Sequence, residues 1–305
     1  SWVPALGLDL ALRLDGLSLM FVLLILGIGL LIILYARHYL STADSMPRFY
    51  AFLMLFMAAM LGIVMADNLI LLWMFWELTS LSSFLLIGFW NHQSGARKGA
   101  RMALAVTGMG GLALLAGLIL IGQIVGTFDM QTVLDSRDVI LDDPRYLPAL
   151  LLILLGAFTK SAQFPFQFWL PQAMAAPTPV SAFLHSATMV KAGVFLLARL
   201  HPALAGSQEW LYLVSLTGLV TMLYGAYFAL IKLDLKAILA YSTVSHLGLI
   251  TMLFGLDSRM AVVAGLFHIL NHATFKAALF MTAGIVDHEC GTRDIRKLKG
   301  LWRYM

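Results

Sequence analysis

Residues 147–171 (LPALLLILLGAFTKSAQFPFQFWLP) join a long apolar run to Lys160, and two prolines, Pro165 and Pro171, come after it. A helix needs about 20 apolar residues to cross the hydrocarbon core of a bilayer, and 147–169 is of that length. Proline removes a backbone donor and clashes with the preceding turn, so the pattern predicts a break or kink near the lysine. Broken helices at membrane depth line cavities and, in transporters, mark ion sites. The alternative is that the Lys160 side chain reaches the membrane interface.

Similar apolar runs extend along the whole chain. Of its 305 residues, 61% are hydrophobic and 12% are charged, and the mean hydropathy is +0.88. Soluble domains are about 45 to 50% apolar and about 25% charged, so an ordinary soluble globular protein is excluded. Helices are expected, because the strands of a membrane barrel would alternate in polarity. Nine stretches are long enough to span a membrane: 17–35, 48–65, 69–90, 101–124, 147–169, 178–200, 210–231, 233–254 and 259–286.

Other classes of site find no support in the sequence. The single cysteine, Cys290, excludes a disulfide framework and a cysteine-rich zinc or iron-sulfur site. There is no phosphate-binding Walker A motif and no G-x-G-x-x-G after a strand, and His268 and His272 lack the glutamate of an H-E-x-x-H zinc site. We therefore expect no cofactor and no bound metal. The net charge of +4 is attributed to basic loops rather than to a nucleic-acid partner.

The charges in the connections predict an orientation. Residues 91–101 carry three basic residues and no acid, whereas the next connection, 125–146, carries five aspartates and two arginines. Cytoplasmic loops carry an excess of lysine and arginine, which places the N-terminal end outside and the C-terminal end inside. No signal peptide is visible before the first span. Because the chain begins at Ser1 and its last residues look like a connection, we expect a fragment of a longer protein.

Ionisable residues inside the spans are the strongest functional signal. A charge at the bilayer centre costs about 2.5 to 3.5 kcal/mol on insertion scales, so such residues usually have a use. Glu77 is the only acidic residue well inside any predicted span. It is interpreted either as a proton or cation site or as a neutral carboxyl that is hydrogen-bonded inside a helix bundle.

Basic residues gather in three later spans. His185 and Lys191 are six residues apart, which would place them on different faces of a continuous helix. His268, His272 and Lys276 recur every four residues on one helix face, and linked by water they would form a proton relay. Lys236 and His246 share the preceding span, although Lys236 is near its cytoplasmic end, where a lysine is also an orientation signal. The alternative is that a buried histidine such as His185 is merely hydrogen-bonded.

Several runs resemble the antiporter-like subunits shared by respiratory complex I and the multisubunit Mrp cation/proton antiporters. The branch that contains the large A subunit of the Mrp antiporters is the most similar, through Lys191 and the C-terminal run GTRDIR at 291–296. The other runs that carry the resemblance are FWELTS at 75–80, TKSAQFP at 159–165, PTPVSA at 177–182, HSATMVKAG at 185–193 and LAYST at 239–243.

The resemblance implies an all-α, polytopic membrane fold of two inverted five-helix units, each with one broken helix. Residues 1–47 would hold the first span and its flanks, 48–200 the first unit and 201–305 the start of the second. In this family the carboxylate that matches Glu77 pairs with the lysine that matches Lys160, and further helices lie before Ser1 and after Met305. The proton pathway implied by the resemblance runs through Glu77, Lys160, His185, Lys191, Lys236, His268, His272 and Lys276.

The function implied is a secondary transporter subunit rather than an enzyme. It would move protons in a multisubunit antiporter of the cell membrane, which exchanges cytoplasmic Na+ for external H+ alongside other subunits in the lipid bilayer. The alternative within the family is a proton-pumping subunit of a complex I-like oxidoreductase or membrane hydrogenase. A third interpretation, from another class, is a structural membrane scaffold whose bundle contains buried polar residues.

Overall fold

A computed structural model describes residues 9–301. In this part of the chain the secondary structure is helical apart from isolated β-bridges, which confirms the all-α prediction. The helices are α1 Gly16–Tyr39, α2 Met46–Met65, α3 Leu69–Ile87, α4 Ser94–Val125, α5 Met130–Asp135, α6 Arg137–Asp142, α7 Tyr146–Lys160, α8 Trp169–Gln172, α9 Thr178–Ser186, α10 Lys191–Leu204, α11 Gln208–Ile231, α12 Leu235–Gly255 and α13 Arg259–Cys290.

The positions of the predicted membrane spans agree with those of the apolar helices. Within the described residues, eight helical segments are long and apolar enough to cross a membrane, with α9 and α10 taken together as one. The ninth apolar helix, α7, is shorter because it ends at Lys160, so the stretch 147–169 is not one continuous helix. The stretch 178–200 is also interrupted, at residues 187–190, where the sequence predicts no break.

Local capping explains where two of these helices begin. The long apolar run around residue 67 is divided at Asn68, whose side chain accepts hydrogen bonds from Ile70 N and Leu71 N at the start of α3. Asp234 caps α12 in the same way through Ala237 N. Such side chains satisfy backbone donors that have no partner within the helix.

Glycines bring α11 and α12 into close contact. A Cβ atom on Gly218 or Gly225 of α11 would overlap the backbone of α12, and one on Gly248 or Gly255 would overlap α11. Small residues at such positions allow membrane helices to approach closely, since dispersion contacts rather than the hydrophobic effect hold them together. The outer face of α11 keeps large apolar side chains exposed, as a lipid-facing surface requires.

Connections that successive membrane crossings would place on the same side contact each other. On the basic side, Trp90 Nε1 donates to Asp44 Oδ1 at 2.7 Å, and a β-bridge joins Asp234 to Asp294. On the other side, a β-bridge joins Asn68 to Asp129. The grouping of the loops therefore follows the charge pattern, while the absolute orientation remains a prediction.

A partly buried ion pair connects α1 to α10. Arg199 is 8% exposed and donates to both carboxylate oxygens of Asp15, the N-cap of α1, and to Ser18 Oγ at 2.7 Å. The Ser18 hydroxyl in turn donates to Val64 O of α2 at 2.6 Å. Hydrogen bonds from the Arg199 guanidinium hold the pKa of Asp15 well below its usual range. Three helices thus meet at one charged contact.

We predict that Asp15→Asn in the full-length protein lowers the free energy of unfolding by about 2 kcal/mol, because it leaves a buried guanidinium poorly paired. Since folding depresses the pKa of Asp15, the stabilisation is present above the usual carboxyl pKa of about 4 and is lost as the pH falls below it. Thermal unfolding of the detergent-solubilised protein at pH 7 measures the effect.

Asp143→Asn is the matched control, since Asp143 forms an exposed ion pair with Arg145 at 2.8 Å. A hydrogen bond from Arg145 lowers the pKa of Asp143 to about 2, but exposed pairs contribute little to stability. Equal melting temperatures for the Asp15 variant and the wild type would contradict the assignment.

Candidate functional site: a buried row of lysines and histidines

The helix α7 ends at Lys160, inside the bundle. Residues 161–168 are not helical, and Ala162 has a φ of 49°, in the left-handed region that ends a helix. The carbonyl of Thr159, in the last turn of α7, accepts a hydrogen bond from Trp169 Nε1 at 2.9 Å. The break that Pro165 predicts is therefore present, and the chain becomes helical again at α8.

The Lys160 ammonium is fully buried between α7 and α3. It donates to Trp76 O at 3.0 Å and to Ser80 Oγ at 2.8 Å, and it lies 5.1 Å from the centroid of the Trp76 ring. A charged group in a bundle interior must be hydrogen-bonded to persist there. One turn of α3 supplies a carbonyl, a hydroxyl and an aromatic face for this purpose.

Glu77 lies on the same turn of α3 but faces α4. Its Oε1 packs against Gly111, where no Cβ would fit, and this oxygen has no hydrogen-bond partner among the described residues. No ion pair joins Glu77 to Lys160 within residues 9–301, although the resemblance implies a pair. Trp76 and Ser80 are four apart and share a face, whereas Glu77 is rotated from Trp76 by about 100°.

A second helix break contacts the first one. The helix α9 ends at Ser186 and α10 begins at Lys191, so His185 and Lys191 belong to different helices and their separation is not that of a continuous helix. Ser161 Oγ donates to Val190 O at 2.7 Å and accepts from Val194 N at 3.0 Å. This hydroxyl connects the residue that follows Lys160 to the residue that precedes Lys191.

Lys191 joins the second break to α13. It is fully buried, donates to Ser186 O at the free C-terminal end of α9, and lies 2.8 Å from Nδ1 of His272. A hydrogen bond between two nitrogens requires one of them to be unprotonated. Lys191 and His272 therefore share one proton at this contact.

Three histidines, His246 of α12 with His268 and His272 of α13, form what we call the histidine cluster. His246 Nδ1 lies 3.0 Å from His268 Nε2, and the rings of His246 and His272 are 5.1 Å apart between centroids. Lys276 donates to Ser242 Oγ of α12 at 2.8 Å. The face of α13 that the four-residue spacing predicts is therefore turned toward α12.

His246 is missing from the pathway predicted from the sequence. Its neighbours in the sequence are apolar or hydroxyl residues, and its partners lie about 20 positions away on another helix. The sequence signal that could have included His246 is that two adjacent spans both carry histidines near their middle.

Lys160, Lys191, the histidine cluster and Lys276 form what we call the row of basic side chains. His185 and Lys236 are buried but form no hydrogen bond with this row among the described residues. His185 lies between the rings of Trp169 and Phe280, at 6.5 and 6.2 Å between centroids, and neither ring nitrogen has a hydrogen-bond partner in the described part of the chain. Lys236 donates to Ala176 O at 2.9 Å, in the segment that precedes α9. His185 lies in the last turn of α9, and Lys236 contacts the segment that precedes this helix.

The arrangement as a whole is suited to moving protons. Basic side chains and hydroxyls lie between α3 and α7, at the second break and between α12 and α13, and two of the contacts join nitrogen to nitrogen at 2.8 and 3.0 Å. Such groups can exchange protons through hydrogen bonds. In residues 9–301 no group of three histidine, cysteine or carboxylate side chains has the geometry of a metal site.

The chain is similar to components of cation/proton antiporters along its whole length. It is 62% identical over 304 residues to the A/B subunit of a probable K(+)/H(+) antiporter of Rhizobium meliloti, covering all of this chain and 30% of that protein. It is 54% identical over 319 residues to the A subunit of the Na(+)/H(+) antiporter of Alkalihalophilus pseudofirmus, covering 40% of that protein. The chain thus spans roughly a third of the length of these relatives.

Two solved structures have the same fold. The Mrp complex from Dietzia sp. DQ12-45-1b contains a chain that matches all of this one with a TM-score of 0.94 and 43% identity, over 33% of its own length. The membrane-bound sulfane sulfur reductase, an archaeal respiratory membrane complex, matches 95% of this chain with a TM-score of 0.86 and 26% identity, over 59% of its own length.

Matches to family descriptions cover most of the sequence. Residues 2–50 match the N-terminus of chain 5 of NADH-ubiquinone oxidoreductase (complex I). Residues 66–305, more than half of the chain, match the transmembrane region described for NADH:quinone oxidoreductase and the Mrp antiporter. With its broken helix at Lys160 and its buried row of basic residues, the chain belongs to the NADH:quinone oxidoreductase/Mrp antiporter transmembrane family.

Proposed function

We propose that the full-length protein is a subunit of a multisubunit monovalent cation/proton antiporter in the cell membrane, and that this part of it conducts protons. The names of its relatives differ in the cation, K(+) for one and Na(+) for another. We take Na+ as the first candidate. Other antiporter subunits and the lipid bilayer are the proposed partners.

The observation that carries this proposal is the contact sequence Lys191, His272, His246 and His268. Its successive members are linked by nitrogen-to-nitrogen distances of 2.8 and 3.0 Å and by a ring contact at 5.1 Å. Histidine and lysine can each be donor or acceptor when their protonation changes, so a proton entering at one end can displace another along the row. A purely structural bundle gains nothing from placing so many basic groups in contact.

Lys160 is the proposed link between this row and Glu77. Its ammonium is at the free end of α7 and is held by two neutral oxygen atoms of α3, so it can exchange them for a charged partner at modest cost. Moving toward Glu77 would stabilise both charges, and moving away would favour a protonated carboxyl. Alternation between these two positions would couple the carboxyl to the rest of the pathway.

The wider organisation is also a proposal. Residues 1–47 would hold the first span and its flanks, residues 48–200 would form the first five-helix unit, and residues 201–305 would begin a second, inverted one. In this arrangement Lys236, His268, His272 and Lys276 belong to the second unit. The pathway then crosses the boundary between units at Lys191.

A redox-driven proton pump is the second candidate function. The fold likeness to a respiratory membrane complex, with a TM-score of 0.86, favours it. In a pump the proton pathway would be driven by electron transfer in another subunit rather than by a cation gradient. The two functions therefore differ in what the complex requires to move protons.

Inverted membrane vesicles from antiporter-deficient cells that express the full complex distinguish the two functions. A pH gradient is preset, Na+ or K+ is added, and an acridine dye reports collapse of the gradient. Collapse without quinone or electron donor supports antiport and identifies the cation. Proton movement only after addition of a reductant would establish the redox-driven pump instead.

We predict that Glu77→Gln abolishes cation-dependent proton movement while the complex still assembles, because the amide cannot carry the exchanged proton. The dye assay measures transport, and co-purification of the subunits measures assembly. Glu209→Gln is the matched control, since Glu209 is exposed in the first turn of α11. Full transport by the Glu77 variant would refute the proposed pathway.

A second prediction concerns the position of the Glu77 carboxyl rather than its chemistry. In Gly111→Ala the new methyl group would occupy the place of Glu77 Oε1, whereas in Gly108→Ala, on the same helix, it would meet no atom within 4 Å. We expect the Gly111 variant to lower the transport rate about tenfold or more and the Gly108 variant to keep it, since small displacements of a reacting group are costly. Equal rates in the two variants would show that the carboxyl position is unimportant.

His246→Phe tests the cross-helix contact. Phenylalanine keeps the ring packing but removes both nitrogens, so we expect a loss of transport of about 100-fold, the usual scale for a lost proton-transfer group. The control is His38→Phe, on the exposed last turn of α1. If the His246 variant transports protons at the wild-type rate, the histidine cluster is not part of the route.

A further inference from the structure

A cavity at the basic end of α2, α3 and α4 lies away from the row of lysines and histidines. Its volume is about 440 Å³, which is within the range of small-ligand sites. Both arginines and apolar side chains line the cavity. The residues used below are Arg48, Arg97, Arg101, Phe52, Phe84 and Leu85.

The three arginines are oriented by backbone carbonyls and not by acids. Arg48 donates to Phe89 O at 3.1 Å, Arg97 to Asn91 O at 2.7 Å, and Arg101 to Arg97 O at 3.3 Å. In the described part of the chain none of them forms an ion pair with a carboxylate. A guanidinium has five N–H donors, so each arginine keeps donors that have no acceptor among residues 9–301. The cavity therefore carries three positive charges that no carboxylate of the described chain neutralises.

The apolar part of the cavity continues toward the outer surface of the bundle. Phe52 of α2 is followed three positions later by Leu55, and Leu85 of α3 is preceded four positions earlier by Leu81. Residues at these spacings share a helix face. Leu55 and Leu81 are exposed, as lipid-facing residues are. An apolar track thus leads from the arginines along α2 and α3.

Charge and position together indicate one kind of ligand. The arginines lie at the ends of membrane-spanning helices, on the side predicted to be cytoplasmic, which is the depth of lipid phosphates. Guanidinium groups bind phosphate through paired hydrogen bonds, and basic pockets between membrane helices on this side bind anionic head groups. The apolar track is suited to an acyl chain.

We propose that this cavity binds an anionic phospholipid. The phosphate is held by Arg97 and Arg101 with Arg48 opposite, and one acyl chain lies against Phe52, Phe84 and Leu85. The site does not depend on the proton pathway, and its assignment holds whether the complex is an antiporter or a redox-driven pump.

Photo-crosslinking in the full complex tests this proposal. The purified complex is reconstituted into phosphatidylcholine vesicles that contain a small fraction of phosphatidylglycerol with a photoreactive acyl chain. We expect crosslinks to peptides that contain Phe84 and Leu85. The Arg97→Gln, Arg101→Gln double variant should reduce their yield about 25-fold at subsaturating lipid, about fivefold for each arginine.

Matched variants separate a lipid site from a disturbed loop. Lys98→Gln removes the same charge from the same helix but lines a different cavity, and it should leave the crosslink yield unchanged. The Arg97→Lys, Arg101→Lys double variant should retain much of the crosslink, and Leu85→Trp, which fills the cavity without changing the charge, should abolish it. Equal loss in the Lys98 control would overturn the proposal.

Competition identifies the ligand. Excess unlabelled phosphatidylglycerol should remove the crosslink, whereas inorganic phosphate at the same concentration should not. Competition by inorganic phosphate would show a free-anion site and would overturn the lipid assignment. Equal labelling by a photoreactive phosphatidylcholine, or cysteine crosslinking that places another subunit over residues 84–85, would overturn it as well.

Discussion

Every lysine buried in this bundle must have oxygen atoms within hydrogen-bonding distance, and this requirement shapes the centre of the structure. Of the four lysines that are buried among the described residues, three donate to backbone carbonyls: Lys160 to Trp76, Lys191 to Ser186 and Lys236 to Ala176. Two of these carbonyls lie at the end of α9 or just before its start, where no helical hydrogen bond occupies them. A continuous helix would offer few such acceptors, so the breaks and the buried charges depend on each other.

The sequence predicts the spans and the first break because both have local causes. Apolar length predicts the spans, Asn68 has the side chain of a helix cap, and Pro165 cannot continue a helix. The break at residues 187–190 contains no proline or glycine that would indicate it in the sequence. It is held by tertiary contacts, above all the bond from Ser161 to Val190, and a pattern within one segment cannot reveal a partner in another.

The candidate site, too, is only partly predictable from the sequence. The four-residue spacing of His268, His272 and Lys276 predicts their common face, since one helix carries all three. Their partners His246 and Ser242 lie on α12, and only packing brings them into contact. Packing likewise separates Glu77 from Lys160. Lys160 contacts the face of α3 that carries Trp76, whereas Glu77 projects from α3 toward α4.

The hydrogen bonds of the Ser161 hydroxyl connect the loop after α7 to the start of α10. It donates to Val190 and accepts from Val194, so both of its hydrogen-bonding roles are used, and both are used on the neighbouring helix segment. The loop at 161–168 cannot shift without carrying the end of the 187–190 loop with it or losing both bonds. The two loops are therefore tied to each other, so a change in one backbone requires either a matching change in the other or the loss of these bonds.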